Sequence, residues 1–122
     1  MGGNKRGLGG RGEDLAVSYL QKRGYKVIER NYRCRLGEID LIALDGGVLA
    51  FVEIKTRTSF TFGIPQESVH RLKQRKLFQV AKAYMAERHV RESITARFDV
   101  VAIRITPSGP NIELIKDAFQ LE

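Results

Sequence analysis

The fold is decided by residues 36–55, which read LGEIDLIALDGGVLAFVEIK. Two largely apolar runs, residues 36–44 and 48–55, flank the triplet Asp45-Gly46-Gly47, which is a strong signal for a β-hairpin turn. Because both runs are apolar on both faces of a strand, they predict strands at the centre of a sheet. The hairpin should therefore form the middle of the domain.

The charged residues of this hairpin are placed to meet on one face of the sheet. Glu53 and Lys55 are two residues apart on one strand, so they project from the same side. Two turn lengths are compatible with the sequence, and they differ in how Asp40 faces the second strand. The shorter turn sets Asp40 diagonal to Glu53, and the longer one, with Leu44 opposite Leu49, sets Asp40 directly against it. Both registers predict Asp40, Glu53 and Lys55 on one face.

Two acids and a lysine among apolar side chains need a compensating interaction. A salt bridge from Lys55 to one acid is the simplest possibility, but it leaves a second carboxylate close by. Adjacent carboxylates raise each other's pKa unless a cation joins them. Since no His or Cys belongs to the set, oxygen ligands favour Mg²⁺ or Mn²⁺ over Zn²⁺. The pattern therefore predicts a divalent metal site.

The remaining residues predict a mixed α/β domain of order α-β-β-β-α-β-β, with a mixed central sheet flanked by helices. The first twelve residues contain six glycines and are expected to form a flexible basic terminus, with one domain over residues 13–122. A helix is predicted over residues 13–23, and a longer one over residues 66–88. Glu13 falls on the apolar side of the first helix, where it could point inward or simply interact with the helix dipole. Strands are predicted at residues 25–30, 36–44, 48–55, 97–105 and 111–119.

Composition restricts the function further. The chain of 122 residues carries 21 Lys and Arg against 14 Asp and Glu, a net charge of +7, which favours a polyanionic partner. The single cysteine, Cys34, rules out an intrachain disulfide and fits a reducing cytoplasm. No run approaches the ~20 apolar residues of a membrane span, so the protein is expected to be soluble and to have no membrane partner.

The spacing of these residues resembles a known superfamily. Asp40, twelve intervening residues and then Glu53-Ile54-Lys55 resemble the PD-(D/E)xK nucleases of restriction-endonuclease-like fold, although Ile39 replaces the proline that names the motif. Further similarity to the uncharacterised bacterial YraN-like family, related in fold to archaeal Holliday-junction resolvases, lies in Gly12-Glu13, residues 37–42, residues 51–57 and Lys73-Gln74. The resemblance spans about residues 9–119.

The resemblance implies a role for each matching residue. Asp40 and Glu53 would be metal ligands, the backbone carbonyl of Ile54 a further ligand, Lys55 the catalytic lysine and Glu13 an additional helix-borne acid. The implied activity is hydrolysis of DNA phosphodiester bonds with Mg²⁺ or Mn²⁺. A resolvase-like enzyme is expected to act as a homodimer, because two strands must be cut.

Basic residues outside the hairpin could position a nucleic-acid backbone. The candidates lie in the glycine-rich opening, just after Lys55 and on the long helix; they are Arg11, Arg57, Lys73, Arg75 and Lys76. Structured or branched DNA is the favoured substrate, since no element for reading a base sequence is evident. The alternative function is a nucleic-acid-binding module of the same fold with little or no cleavage.

Overall fold

The computed structural model describes residues 8–58 and 70–120, which form two helices and one five-stranded sheet. The elements follow the order predicted from the sequence, and the α/β fold class is confirmed. Their bounds are α1 Leu8–Lys22, β1 Lys26–Cys34, β2 Gly37–Asp45, β3 Val48–Thr58, α2 Arg71–Glu87, β4 Thr95–Thr106 and β5 Gly109–Phe119. Within the described residues, neither helix has the length and apolar composition needed to cross a membrane.

The sheet has the simple spatial order β1-β2-β3-β4-β5. Strands β1, β2 and β3 form an antiparallel meander, β4 runs parallel to β3, and β5 returns antiparallel to β4. A parallel neighbour requires a crossover connection, and α2 lies within the one that joins β3 to β4. The predicted hairpin therefore occupies the second and third of five strands, with β3 between one antiparallel and one parallel neighbour.

The two faces of the sheet carry separate apolar clusters. On one face, Ala16 and Leu20 of α1 pack with Val52 and Val101. On the other face, α2 contributes to an aromatic series in which neighbouring rings lie 5.0–5.9 Å apart at their centroids. The series consists of Tyr32, Tyr84, Phe51, Phe98 and Phe119. Successive side chains of β3 alternate between the clusters, which explains why the strand is apolar on both sides.

Helix α1 begins at Leu8, five residues before the predicted start at Glu13. Its first turns lie against β3, where a Cβ at Gly12 would overlap Oγ1 of Thr56 and approach Ile103. A glycine at this position lets the helix pack closely on the sheet. The glycines that suggested a flexible segment therefore belong in part to the helix, and residues 1–7 lie outside the described residues.

Strand β1 and helix α2 also differ in their bounds from the sequence prediction. Strand β1 continues to Cys34 rather than ending at Arg30, passing through Asn31 in a left-handed backbone conformation with φ of 56°. Helix α2 begins at Arg71, because His70 is extended. The predicted beginning of this helix, residues 66–69, lies outside the described residues.

Candidate active site

The candidate site forms where β2 and β3 stop pairing. Their ladder has Leu44 opposite Leu49 and continues to Leu41 opposite Val52, so the second of the two predicted registers is confirmed. Asp45 also pairs with Val48, so the turn consists of Gly46 and Gly47 and is shorter than the four residues predicted for this register. The next pair in this register would be Asp40 and Glu53. Instead of extending the ladder, Asp40 accepts a hydrogen bond through Oδ2 from the backbone N–H of Ile54, at 2.8 Å. Its carboxylate thus reaches across to the main chain of the neighbouring strand.

The alternation of side chains along β2 is broken at the same point. Ile39 and Ile42 both pack in the cluster under α2, although they are three residues apart, whereas Leu41 packs in the cluster under α1. Regular alternation would put Ile39 on the same face as Leu41. The irregularity at Asp40 allows its carboxylate to turn toward Ile54, which strict strand parity did not predict.

Glu53 is the centre of the site. It is buried, with 6% of its surface exposed, and its Oε2 accepts from two ammonium groups. Nζ of Lys73, from the first turn of α2, lies 2.5 Å away, and Nζ of Lys55, two residues along β3, lies 3.5 Å away. Charge-assisted hydrogen bonds of this kind offset the cost of burying a carboxylate. Asp40 lies near enough to Glu53 for the two negative charges to interact.

This arrangement shifts the pKa of three groups. Burial, followed by the charge of Glu53, raises the pKa of Asp40 to about 7, although the Ile54 N–H and Lys73 oppose the shift. Burial lowers the pKa of Lys55 against the opposing effect of Glu53, and Lys73 lowers it further. For Lys73, burial is outweighed by the hydrogen bond and charge of Glu53, so its pKa is raised. Of the two lysines, Lys55 therefore loses its proton more easily.

Glu13 is not brought into this group. It lies near the start of α1, and its Oε1 accepts a hydrogen bond from the Arg30 guanidinium of β1 at 2.6 Å. The same guanidinium contacts Asp14 at 2.8 Å. Over residues 8–58 and 70–120, no three acidic, histidine or cysteine side chains are grouped so that they could hold one metal ion. Among the described residues, the site therefore contains two neighbouring carboxylates, Asp40 and Glu53, rather than the three predicted.

The predicted nucleic-acid contacts fall into two sets. Lys73 is directed to Glu53, as described above. The other four residues are exposed, and the stem of Lys76 passes the surface beside Gly37, where its Cγ would lie 3.7 Å from an added Cβ. These exposed residues are Arg11, Arg57, Arg75 and Lys76.

A second polar group, which the sequence analysis did not identify, lies on the α1 side of the sheet. Asp99 is fully buried and accepts from the hydroxyl of Tyr25 at 2.8 Å, from Nε of Arg97 at 2.8 Å and from the backbone N–H of Asp117 at 2.9 Å. Arg97 also donates to Asp45 in the hairpin turn, at 2.8 Å. Opposite charges two residues apart in the apolar strand β4 were the signal that could have revealed it.

Comparison with known proteins identifies the family of the chain. A UPF0102 protein of Syntrophus aciditrophicus is 48% identical over 110 residues, which cover 90% of this chain and 86% of the relative. One from Geobacter sulfurreducens is 48% identical over 115 residues (93% and 89%), and one from Caldicellulosiruptor saccharolyticus is 46% identical over 118 residues (95% and 99%). The family model for these proteins matches residues 12–103, a range that includes the whole candidate site. The chain therefore belongs to the uncharacterised protein family UPF0102, which confirms the predicted YraN-like family.

Proposed function

We propose that this protein is a Mg²⁺- or Mn²⁺-dependent endonuclease of PD-(D/E)xK type that hydrolyses phosphodiester bonds of DNA, with structured or branched DNA favoured. The observation that carries the proposal is the grouping of two repelling carboxylates, Asp40 and Glu53, with Lys55 on adjacent strands. An ordinary stabilising ion pair has no need of a second buried acid whose pKa is raised to about 7.

The described residues fit a divalent cation of this type. Mg²⁺ commonly uses one or two protein carboxylates and completes its coordination with water and substrate phosphate oxygens. Asp40 and Glu53 are two such carboxylates, and their mutual repulsion favours a cation between them. They are the residues that would hold it, and the Ile54 carbonyl stays a predicted further ligand. Glu13 is not required for this set, since Arg30 already neutralises it.

The residues of the site suit hydrolysis of a phosphodiester. A divalent cation supplies the positive charge that activates a water molecule and stabilises the leaving oxygen. Lys55 would contribute positive charge beside the phosphate or, in its neutral form, accept a proton from the attacking water. Burial lowers the pKa of Lys55, which favours the second role relative to an ordinary lysine. Its spacing from Glu53 on the same strand fixes both groups relative to each other.

The surface charge supports a nucleic-acid substrate. The net charge of +7 and the exposed basic residues favour contacts with a phosphate backbone, which position a substrate without reading its sequence. Arg57 extends β3 beyond Lys55, and Arg75 and Lys76 continue α2 beyond Lys73. Phosphate contacts along β3 and α2 would direct the nucleic-acid backbone toward the site. The homodimer that cutting of two strands requires stays a prediction.

The test is a cleavage assay on end-labelled duplex, single-stranded and four-way-junction DNA with Mg²⁺, Mn²⁺ or EDTA. We expect metal-dependent cutting, strongest on the junction, by the wild-type protein. Asp40→Asn or Lys55→Met should abolish cutting, whereas DNA binding in a gel-shift assay stays within about threefold, because neither change removes an exposed phosphate contact. Lys26→Met removes the same charge from an exposed position of β1 and should cut like the wild type.

A nucleic-acid-binding module without cleavage is the second candidate. It is favoured by the absence of a three-carboxylate group among the described residues and by the tight contact of Lys73 with Glu53, which already compensates one acid. If the wild-type protein binds these DNAs but cuts none of them with either metal, the binding module replaces the nuclease.

A further inference from the structure

Two ammonium groups share one oxygen of Glu53, and they differ in how firmly each is held. Lys55 extends from the same strand as Glu53, with 20% of its side chain exposed. Lys73 comes from the first turn of α2, contacts the oxygen 1 Å more closely (2.5 against 3.5 Å), and has 38% of its side chain exposed. Lys73 is therefore both the closer partner of Glu53 and the more exposed of the two lysines.

The charges of the four groups balance without any added ion. Asp40 and Glu53 carry two negative charges when ionised, and Lys55 and Lys73 carry two positive charges. A divalent cation held by Glu53 would add two positive charges to a carboxylate that Lys73 already contacts. Cations in contact with one carboxylate oxygen repel each other strongly in a partly buried site. The two ammonium groups already share this oxygen, so the added charge favours the release of one of them.

We propose that Lys73 is an exchangeable counterion of Glu53: it holds the carboxylate in place until a divalent cation binds, and it then withdraws into solvent. This inference rests on the proposed function. The long flexible stem of lysine permits such a withdrawal without movement of α2. Lys55 is expected to stay beside Glu53, because the two residues project from the same strand and the Lys55 side chain is the less exposed of the two lysines.

The proposal makes Lys73 a competitor of the metal ion, which a purely structural role would not. If Lys73 only positioned Glu53 for metal binding, its removal would disorder Glu53 and lower the affinity for the metal ion. If Lys73 competes with the metal ion, its removal raises that affinity. The sign of the change in metal affinity separates the two roles.

The first experiment is calorimetric titration of Mn²⁺, without DNA, into wild-type protein, Lys73→Met and Lys82→Met. Methionine retains most of the stem but removes the charge. Lys82 is an exposed lysine farther along α2, so its variant matches the change in net charge. We expect Lys73→Met to bind Mn²⁺ at least about tenfold more tightly than the wild type, as expected when a competing charge-assisted hydrogen bond is removed. Lys82→Met should bind within about twofold of the wild type.

The second experiment uses unmodified wild-type protein and therefore does not depend on the folding of a variant. Lysine side-chain ammonium signals are recorded by NMR in EDTA and then during titration with Mg²⁺. The Lys73 ammonium signal should be protected from solvent exchange in EDTA and lose that protection as Mg²⁺ binds. The Lys55 signal should remain protected.

The outcomes distinguish this inference from the proposed function. Tighter Mn²⁺ binding by Lys73→Met together with loss of Lys73 protection in the wild type supports the exchange. Equal or weaker binding by Lys73→Met, or a Lys73 signal unchanged at saturating Mg²⁺, overturns it while leaving the metal site intact. Failure of both wild type and Lys73→Met to bind either metal overturns the metal-dependent nuclease and the exchange together.

Discussion

Two groups of charged side chains lie on opposite faces of this sheet, and they differ in how their charges are matched. The group under α2 contains Asp40, Glu53, Lys55 and Lys73; the group under α1 contains Asp45, Asp99, Arg97 and Lys116, with the Tyr25 hydroxyl. Each pairs two acids with two bases. In the α1 group, hydrogen bonds from Arg97 and then from Lys116 lower the pKa of Asp45. In the α2 group, burial and Glu53 raise the pKa of Asp40 to about 7.

The difference shows that an equal count of charges does not make two sites equivalent. In the α1 group, one planar guanidinium reaches both acids, so neither carboxylate is left without a cation. In the α2 group, the ammonium groups within salt-bridge distance both contact Glu53, and Asp40 receives a backbone N–H. The first arrangement is complete as it stands. The second leaves an acid that gains from an additional cation, which is the property expected of a functional site.

The largest expected effect comes from breaking the complete group. Arg97→Met leaves Asp99 buried with a charge and without its cation, which typically costs 3–5 kcal/mol. We expect the free energy of unfolding, measured with urea, to fall by about that amount. Arg104→Met is the control, since Arg104 is an exposed arginine on the same strand and its loss should cost under about 0.5 kcal/mol. Similar losses for the two variants would contradict the structural role of the α1 group.

Removing the charge of Asp40 should instead raise the free energy of unfolding. The folded-state pKa of about 7 lies above the usual 3.8, so folding favours the protonated acid. The resulting penalty is absent below about pH 4, grows as the pH rises and is complete above about pH 7. Asp40→Asn removes the penalty and keeps an acceptor for the Ile54 N–H. In EDTA at pH 8 we expect it to be more stable than the wild type, by at most about 4 kcal/mol at 1.36 kcal/mol per pKa unit.

The pH profile of stability provides the check on Asp40. Urea unfolding between pH 4 and pH 8 should show wild type and Asp40→Asn converging at the acidic end and separating toward pH 8. Glu113→Gln is the matched control, because Glu113 is an exposed acid on β5 and takes no part in the site. Its profile should run parallel to that of the wild type. If the profile of Asp40→Asn also ran parallel to that of the wild type, Asp40 would not carry the unfavourable charge that distinguishes the α2 group from the α1 group.

The smallest expected effect lies at the rim of the α1 group. Lys116 contacts Asp45 at 3.0 Å, but its side chain is 53% exposed and Arg97 contacts the same oxygen. Exposed ion pairs contribute about 0–1 kcal/mol and are weakened by salt. We expect Lys116→Met to lower the free energy of unfolding by less than about 1 kcal/mol at 0.1 M NaCl and to have still less effect at 1 M. A loss comparable to that of Arg97→Met would place Lys116 among the essential members of the group.

The sequence predicted the elements of the fold because each of them follows from a local pattern. Asp45-Gly46-Gly47 set the turn, and the apolar runs on both sides set two central strands, whose observed register is one of the two predicted. The same patterns put Glu53 and Lys55 on one face, and these two residues are in contact. Periodicity was sufficient here because residues two apart on a regular strand share a face whatever surrounds them.

The finer arrangement of the site was not predictable in the same way. Strand parity assumes regular alternation, which fails at Asp40, where the side chain turns to a backbone N–H. The partner of Glu13 depends on where Arg30 lies in the next element, which no local pattern encodes. Arg97 and Asp99 have the same spacing as Glu53 and Lys55, so spacing alone could not separate a satisfied network from a site with an unmatched acid.

The hydrogen bond to Asp40 comes from the main chain of Ile54, so it places little restriction on the side chain at this position. The side chain of Ile54 packs under α1, so this position requires an apolar residue of suitable size. The Asp40 carboxylate requires only a backbone N–H, which every amino acid except proline provides. Selection for the hydrogen bond would therefore exclude only proline at position 54. Packing under α1 would decide which of the other residue types is tolerated.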